Sequence, residues 1–416
     1  MPDVVVAVLM TLNSKGEEAR FVCEALSRAG VVPWLMDLSL RPHGVEGASV
    51  AGGELAEAAG STWGALGEMD RTRAAEVMVS GGGKILQEKF LAGEISGAIG
   101  VGGANGSSMA CALMRSLPPL FPKVMVSPVA ATAAVQWYVA ESDIAMFPSI
   151  GDLSINRITR AVMENAAWSV ASMAKARAAR VSPEGLGDRP LVGVSSFGGT
   201  AGCVDRVTEK LVASGYEVIH FHASGPGGRA LESLAGLGEL AGVIDVTTHE
   251  LADLLVEGVY SAGEGRLRAA GEAGIPQVIV PGALDHSNFW VGMVPEKFKG
   301  REFFQYNAQN VLMRTSAGEF EALGRMVAER LNAARGPFAV LIPRRGFSEH
   351  TKRKTHDSEG REAGEWAKPE VDRVFGESLR ADLKEGRVEE FDLHVNDAEF
   401  ADACVSAFLE MIRSGA

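Results

Sequence analysis

The sequence is poor in the features that mark several large protein classes. Its four cysteines, Cys23, Cys111, Cys203 and Cys404, lie far apart without a CxxC pair, so neither a disulfide framework nor a zinc site is predicted. It contains no apolar run long enough to span a bilayer. Its start also lacks the basic segment followed by an apolar segment that is typical of a secretory leader. No GxxxxGK[ST] motif is present, which disfavours a P-loop kinase or ATPase. We therefore expect a cytoplasmic protein with reduced, mostly buried thiols.

Positive charge is also scarce. The chain has 40 Lys+Arg against 53 Asp+Glu, a formal net charge of −13. An acidic protein has no general attraction for nucleic acid or an anionic membrane. Nucleic acid and membranes are therefore not expected as partners, and any phosphate site must be local.

What the sequence does contain is typical of a two-domain globular protein. Apolar residues make up 46% and charged residues 22% of its 416 residues, and a chain of this length usually divides between two cores. A helix is predicted at 156–180, followed by a Pro- and Gly-rich stretch at 181–190 that ends it. The predicted domains are 1–182 and 190–416.

Both halves alternate apolar strands with helical patterns. Residues 4–9, 16–29 and 31–38 read as strand, helix and strand, the βαβ unit of a parallel sheet. Residues 44–60 read as a loop, and a helix at 71–90 is predicted to break at Gly81-Gly82-Gly83. Further strands are predicted at 95–101, 123–126, 144–147, 191–195, 217–221, 242–246, 277–280 and 338–342. The predicted fold class is α/β: two doubly wound, Rossmann-like domains with mostly parallel sheets and an interdomain cleft.

Three glycine-rich segments each end a predicted strand and open a helix. They lie at 97–108, 195–200 and 221–229. Glycine lets a ligand approach the backbone, and the free N–H groups of the next helical turn attract anions. The first segment, Gly100-Val101-Gly102-Gly103-Ala104-Asn105-Gly106, loosely matches the dinucleotide fingerprint, but no ribose-binding acid follows, so NAD is disfavoured. The alternative is that these glycines only permit tight turns.

Polar residues at other strand ends suggest acid–base chemistry. His222 adjoins Ser224-Gly225-Pro226-Gly227-Gly228-Arg229, where Ser224, Gly227, Gly228 and Arg229 could hold an acidic substrate. Asp285 and His286 stand together after the strand at 277–280, and with His222 they are the catalytic candidates. Local turn capping is the alternative at 285–288. His220 is expected to be structural, and no metal site is predicted. The charged stretch 352–368 reads as a solvated surface loop, with an active-site lid as the alternative.

The loop Asn13-Ser14-Lys15-Gly16-Glu17 follows the first strand and places an amide, a hydroxyl and a cation at a helix start. An ordinary helix cap with an exposed lysine is the alternative interpretation. Cys111 begins a helix after a glycine-rich loop, where the helix dipole could lower a thiol pKa, although packing is the favoured role.

Motifs along nearly the whole chain resemble one family. They include 102–108, 122–127 and 142–144 in the first half, and 221–225, 227–230, 281–285, 312–315 and 396–401 in the second. Together they are similar to the family of the ATP-binding, replication-inhibiting domain of the tomato mosaic virus resistance protein and its bacterial homologues. The resemblance implies a two-domain α/β fold that binds ATP through its N-terminal domain, and an oligomer.

On this resemblance the cofactor is ATP, with Mg²⁺ as a candidate companion ion. The expected nucleotide-binding residues are Asn13, Lys15, Gly102, Gly103, Asn105, Gly106, Ser107, Ser108 and Ser127. The family's first loop usually reads Asp-Thr-Lys where this chain has Asn13-Ser14-Lys15, which removes a carboxylate that could contact Mg²⁺. Two hypotheses remain: a nucleotide-binding protein, or a metabolic enzyme acting on a small phosphorylated or carboxylated compound.

Overall fold

A computed structural model describes residues 4–179 and 189–414. The chain forms two compact units, Met1–Pro183 and Glu184–Ala416. The connection expected at 181–190 falls almost wholly outside the described residues.

The first unit is built on a five-stranded parallel sheet. Its strands are β1 (Val5–Met10), β2 (Val32–Asp37), β3 (Gly97–Val101), β4 (Lys123–Ser127) and β5 (Ala145–Pro148). Its helices are α1 (Leu12–Arg28), α2 (Gly52–Ala58), α3 (Trp63–Glu68), α4 (Arg71–Leu91), α5 (Ala104–Arg115), α6 (Val135–Val139) and α7 (Arg157–Ala178). The strand order is β2-β1-β3-β4-β5, every neighbouring pair is parallel, and the order reverses between β1 and β3.

Alternation along β1 explains why helices cover both faces of this sheet. Val6 and Val8 lie in a core shared with α1 and α7, whereas Ala7 and Leu9 lie in a second core with α2, α4 and α5. Successive side chains of a strand point to opposite faces, so an unbroken apolar strand needs cover on both sides. This confirms the doubly wound α/β architecture predicted for the first half.

Glycines misled the local prediction in two places. The stretch 44–60, predicted as a loop, contains α2, and Gly81–Gly83 lies inside the continuous helix α4 and does not interrupt it. A Cβ on Gly81 would stand 1.8 Å from the carbonyl oxygen of Leu55 in α2. The glycine is therefore needed for close helix–helix packing rather than for a break.

The second unit contains two sheets. Its strands are β6 (Leu191–Ser196), β7 (Glu217–His222), β8 (Gly242–Thr247), β9 (Gln277–Gly282), β10 (His286–Trp290), β11 (Phe303–Gln305), β12 (Asn310–Arg314), β13 (Phe338–Pro343), β14 (Lys354–His356), β15 (Glu362–Glu365) and β16 (Arg387–Phe391). Its helices are α8 (Ala201–Ala213), α9 (Pro226–Gly236), α10 (Glu250–Val256), α11 (Ala269–Ala273), α12 (Ala317–Leu331), α13 (Pro369–Asp382) and α14 (Ala398–Ser414).

Six parallel strands form a sheet in the order β16-β13-β9-β8-β6-β7. The direction in which successive strands are added across the sheet reverses between β6 and β8. Helices α8 and α14 pack on one face, and α10, α12 and α13 on the other. The predicted parallel strands of this half are confirmed, with ends that differ by one or two residues.

The second sheet, with the order β10-β12-β11-β14-β15, is antiparallel and was not predicted. The stretch 352–368, interpreted as a solvated loop, supplies two of its strands, and its one tryptophan, Trp366, is fully buried. The loop interpretation is therefore wrong: the short strands are charged because they lie at one edge of the sheet, and the buried tryptophan fixes the segment after them.

Candidate functional sites

The first candidate site lies at the carboxyl ends of β1 and β3. Ligands of open α/β sheets bind where the strand order reverses, and in the order 2-1-3-4-5 that point falls between strands 1 and 3. A cavity of about 640 Å³ opens there. Its lining comes from the residues that follow β1, β2 and β3 and from the start of α4: Thr11, Asn13, Ser14, Lys15, Leu40, Arg41, Arg71, Gly103, Ala104, Asn105, Gly106 and Met109. The sequence-predicted residues Asn13, Lys15, Gly103, Asn105 and Gly106 are thus brought together.

The charge of this cavity is positive. Lys15, Arg41 and Arg71 line it, and none of the described residues that line it is acidic, although the carboxylate of Glu18 lies 3.5 Å from Lys15 Nζ. Arg41 is anchored by bonds to the carbonyl oxygens of Leu66 and Met69 at 2.7 and 2.9 Å. Arg71 donates to the side-chain oxygen of Asn105 (2.7 Å from Nη2) when the amide is oriented to suit both groups. In a protein of net charge −13 this is a local site of the sign that an anion requires.

The two helices that begin at this cavity differ in how their first N–H groups are satisfied. At the start of α1, Leu12 N–H donates to Asp37 (3.1 Å) and Asn13 N–H to Ser39 (3.0 Å). Helix α5 begins after Gly103, which has no side chain to cap it. The N–H groups of the first turn of a helix have no acceptor within the helix. The start of α5, rather than that of α1, is therefore available to an anion.

Other predicted nucleotide-binding residues support the loop from behind. Ser107 and Ser127 are fully buried, their hydroxyls lie 2.6 Å apart, and Ser107 also donates to the carbonyl of Gly102 at 2.9 Å. A Cβ on Gly102 would stand 2.8 Å from the Cα of Gly106, so this glycine allows the tight turn into α5. These three residues shape the loop and do not line the cavity. Ser108 lines an adjoining cavity of about 370 Å³.

The second candidate site lies in the second unit, around the turn between β9 and β10. Asp285 accepts from Ser348 Oγ (2.7 Å) and Trp366 Nε1 (2.8 Å), and its Oδ1 lies 3.1 Å from His286 Nδ1. Burial acts to raise the pKa of Asp285, but the hydrogen bond and charge of His286, with the charge of Arg314, lower it well below its usual range. The predicted pair is thus a buried carboxylate bound to an imidazole.

The buried histidines His249 and His286 are stacked, 5.7 Å apart at an interplanar angle of 16°, but they differ in their hydrogen bonds. His249 uses both ring nitrogens: Nδ1 lies 3.1 Å from Asp253 Oδ2, and Nε2 bonds to the carbonyl of Ala223. His286 Nε2, by contrast, is buried without any partner. His249 is therefore held structurally, whereas His286 keeps one nitrogen unused.

The third catalytic candidate, His222, is near but outside this buried cluster. It is exposed, and its ring lies 5.3 Å from that of Phe197, which in turn lies 4.3 Å from His249 and 6.3 Å from His286. Phe197 therefore separates His222 from the buried imidazoles. A direct proton exchange between His222 and His286 is not part of this arrangement.

The four residues predicted to hold an acidic substrate lie at the start of α9. There the protein supplies its own anion: Glu250 accepts from the N–H groups of Gly225 (2.7 Å) and Gly228 (3.2 Å). A Cβ on Gly228 would meet Glu250 at 2.1 Å, and one on Gly227 would meet the carbonyl of His222 at 1.9 Å. The absence of a side chain at these glycines leaves room for the carboxylate of Glu250 and for the carbonyl of His222. A substrate role for Ser224, Gly227, Gly228 and Arg229 stays a prediction.

Several site residues escaped the sequence analysis. Arg41 and Arg71 belong to the first site, but Arg71 is 56 residues after Lys15 and only the sheet topology brings them together. His350 packs against His286 with ring centroids 5.4 Å apart, and burial, then the charge of His286, lower its pKa to about 4. A signal for His350 was available, because it closely follows β13, another strand of the parallel sheet.

Cys111 proves to be a packing residue. It is fully buried, and burial raises the pKa of its thiol to about 11, which outweighs the opposing effect of Arg115. The helix-dipole activation considered from the sequence is therefore not what this position does.

The described residues, 4–179 and 189–414, contain neither a metal-binding cluster nor a membrane-spanning helix. No group of three or more histidine, cysteine, aspartate or glutamate side chains there is arranged to hold a metal ion. No helix in the same ranges is long and apolar enough to cross a membrane. The expected cytoplasmic location and homo-oligomer stay predictions.

Comparison with known proteins agrees with the two-unit division. Residues 4–179 match the family described as "Uncharacterised protein family (UPF0261) N-terminal domain", and residues 189–412 match its C-terminal domain. A UPF0261 protein of Clostridium tetani is 37% identical, with 98% of each chain covered. The ToMV resistance protein Tm-1(GCR237) of Solanum lycopersicum is also 37% identical, over 76% of this chain and 42% of the tomato protein.

Among solved structures, a putative UDP-N-acetylglucosamine 2-epimerase from Listeria monocytogenes is 10% identical, covering 67% of this chain and 79% of that one. Its TM-score of 0.24 is too low to bear on fold or function. The sequence relatives are decisive, and they confirm the resemblance read from the motifs. With both domains matched and more than a third of its residues shared with relatives along almost its whole length, this chain belongs to the UPF0261 family.

Proposed function

We propose that the first unit binds a nucleotide, with its phosphates at the start of α5. The observation that carries this is the combination of an uncapped helix N-terminus with three cationic side chains in one cavity, at the reversal point of the sheet. Phosphates bind where backbone N–H groups and the positive end of a helix meet. Lys15 and Arg71 would neutralise the remaining charge of the phosphate chain.

The adjoining cavity suits the base and ribose. It is lined by Leu40, Arg71, Thr72, Ala75, Glu76, Val79, Asn105, Ser108, Met109 and Ala112, and it shares Leu40, Arg71, Asn105 and Met109 with the cationic cavity. An apolar wall beside a few polar groups is the usual environment of a bound heterocycle. ATP is the nucleotide to expect first, because the sequence motifs resemble those of an ATP-binding family.

Any Mg²⁺ would arrive with the nucleotide. The described residues that line the cationic cavity include no carboxylate, the ligand that Mg²⁺ ordinarily takes from a protein. Asn13 stands in the first loop, and its amide oxygen is at most a weak, neutral ligand. We therefore expect binding of ATP to persist when Mg²⁺ is removed.

Gly103→Val tests the proposal without disturbing the fold. A Cβ at Gly103 meets nothing within 4 Å, and its backbone (φ −69°, ψ −168°) is one that valine adopts readily. The added side chain would stand where phosphate must approach the N–H groups of α5. Titration calorimetry with ATP, with and without Mg²⁺, should show affinity reduced by about tenfold or more in the variant, a loss of one or more well-formed contacts.

Gly318→Val is the matched control. Gly318 lies in the first turn of α12 in the other unit, and a Cβ there also meets nothing within 4 Å. ATP should bind this variant as it binds the unaltered protein. The proposal fails if the unaltered protein does not bind ATP, or if Gly103→Val binds it equally well.

A further inference from the structure

The second unit contains buried polar atoms that the proposed nucleotide site does not use. His286 is fully buried, yet its Nε2 has no hydrogen-bond partner, and Nδ1 of the buried His350 has none either. Native proteins pair the great majority of buried polar atoms, and leaving one unpaired costs stability. Two such atoms on imidazoles whose ring centroids lie 5.4 Å apart need an explanation.

The bonds of the first imidazole fix which of its nitrogens carries the proton. Asp285 is held ionised by donors from three sides, Ser348, Trp366 and His286, and an ionised carboxylate only accepts. Nδ1 of His286 therefore donates to Asp285. In the neutral ring Nε2 then carries the lone pair, so Nε2 is a buried proton acceptor.

The second imidazole has the complementary capacity. Burial is the largest cause that lowers the pKa of His350, so this ring is neutral at pH 7. A neutral imidazole has one N–H, and Nδ1 can present it. Around both rings lie the aromatic side chains of Phe197, Phe304 and Trp366. A small molecule there would meet one acceptor, one donor and apolar walls.

We propose that His286 and His350 form an acid–base site for a small carbonyl compound, with Asp285 as the positioning residue. Nε2 of His286 removes a proton from the carbon beside the carbonyl. The electron pair of that C–H bond forms a C=C bond, and the π pair of the carbonyl moves onto oxygen. That oxygen accepts a hydrogen bond from the N–H of His350. Return of the proton from Nε2 to carbon or oxygen completes an isomerisation or exchange that needs no oxidant and no second reactant.

Phe197 controls entry to this site. Its ring packs on His249 and His286 at 4.3 and 6.3 Å, and it is itself only partly buried. It follows β6 and is succeeded by Gly198 and Gly199, in a loop at the point where the six-stranded order reverses. Movement of this one side chain would uncover Nε2 of His286. This route explains how a fully buried nitrogen could meet a ligand.

Bromopyruvate, a small α-bromo carbonyl compound, is the probe. Nε2 of His286 should attack its CH₂–Br carbon, forming a C–N bond as bromide leaves, and peptide mass spectrometry locates the product. His249 is the matched control, because it is equally buried but both of its nitrogens are paired. Phe197→Ala should increase labelling of His286 by about tenfold, because most of the free energy needed to uncover Nε2 is that of moving the Phe197 side chain. His249 should stay unlabelled in this variant.

Labelling of His286 that Phe197→Ala accelerates would support the site. The proposal is overturned if His286 stays unlabelled in both proteins while the exposed His220 reacts, or if His286 and His249 react alike. Nitrogen-15 NMR of the imidazoles gives a second, reagent-free test of positioning by Asp285. It should find the proton of neutral His286 on Nδ1, and a proton on Nε2 instead would equally refute the assignment.

Discussion

Replacing Arg266 by leucine is expected to destabilise the second unit by roughly 3–5 kcal/mol, the usual cost of removing one partner from a buried ion pair. Arg266 is fully buried and donates to Asp245 at 2.6 and 2.7 Å and to Glu250 at 2.7 Å. Both carboxylates are buried as well. Without the guanidinium they would remain as uncompensated charges beneath the carboxyl edge of the six-stranded sheet.

Urea unfolding followed by circular dichroism measures this loss as a lower midpoint for the second unit. Arg345→Leu is the control in the same unit, since Arg345 pairs with Asp392 at 2.8 Å but both side chains are about 60% exposed. Exposed pairs add little to stability, so the control should unfold like the unaltered protein. Equal midpoints for all three proteins would show that the buried network is not what holds this edge.

Asp285→Ala should cost about 3 kcal/mol or more at pH 7, because each buried donor left without an acceptor costs about 1–3 kcal/mol. Three donors lose their partner: Ser348 Oγ, Trp366 Nε1 and His286 Nδ1. The indole also fixes the segment after β15, so we expect the β14–β15 part of the antiparallel sheet to exchange its amide protons faster. Urea midpoints and hydrogen exchange at 354–365 would measure the two effects.

The same variant should change how stability depends on pH. The pKa of Asp285 lies well below its usual range in the folded protein: burial opposes this shift, but His286 and Arg314 outweigh it. A lowered pKa contributes stability that is fully present above the unfolded value, about 3.9, and is lost as pH falls through the folded value. The difference between Asp285→Ala and the unaltered protein should therefore be constant near neutral pH and shrink below about pH 4. A difference that grows on acidification would contradict this.

The parallel strands could be predicted from sequence because they carry a strong local signal. Strands such as β1 and β3 are buried on both faces and read as unbroken apolar runs between turn residues. The antiparallel sheet could not be predicted, since β11 and β14 have three residues each and lie among polar residues. Glycine was ambiguous for a physical reason: at Gly81 it permits a close helix contact, whereas at Gly103 it leaves open space.

The candidate sites were predictable to the extent that strand ends define them. Asn13, Lys15 and Gly103 follow strands that became neighbours, so a rule about sheet edges was enough to place them together. Arg71 begins a helix far along the chain, and no local pattern connects it to Lys15. The bond from the N–H group of Gly228 to Glu250 could not be predicted, because only the folded chain brings Glu250 to that position.

The most direct test of the central claim is amide hydrogen exchange of the whole protein with and without ATP. The unpaired N–H groups at 104–106 should exchange quickly in the free protein and slow markedly when phosphate binds there, together with amides at 13–15. Amides at 197–200, at the carboxyl edge of the other unit, should not change. Protection at 197–200 without any at 104–106 would contradict the assignment and move the nucleotide to the second unit.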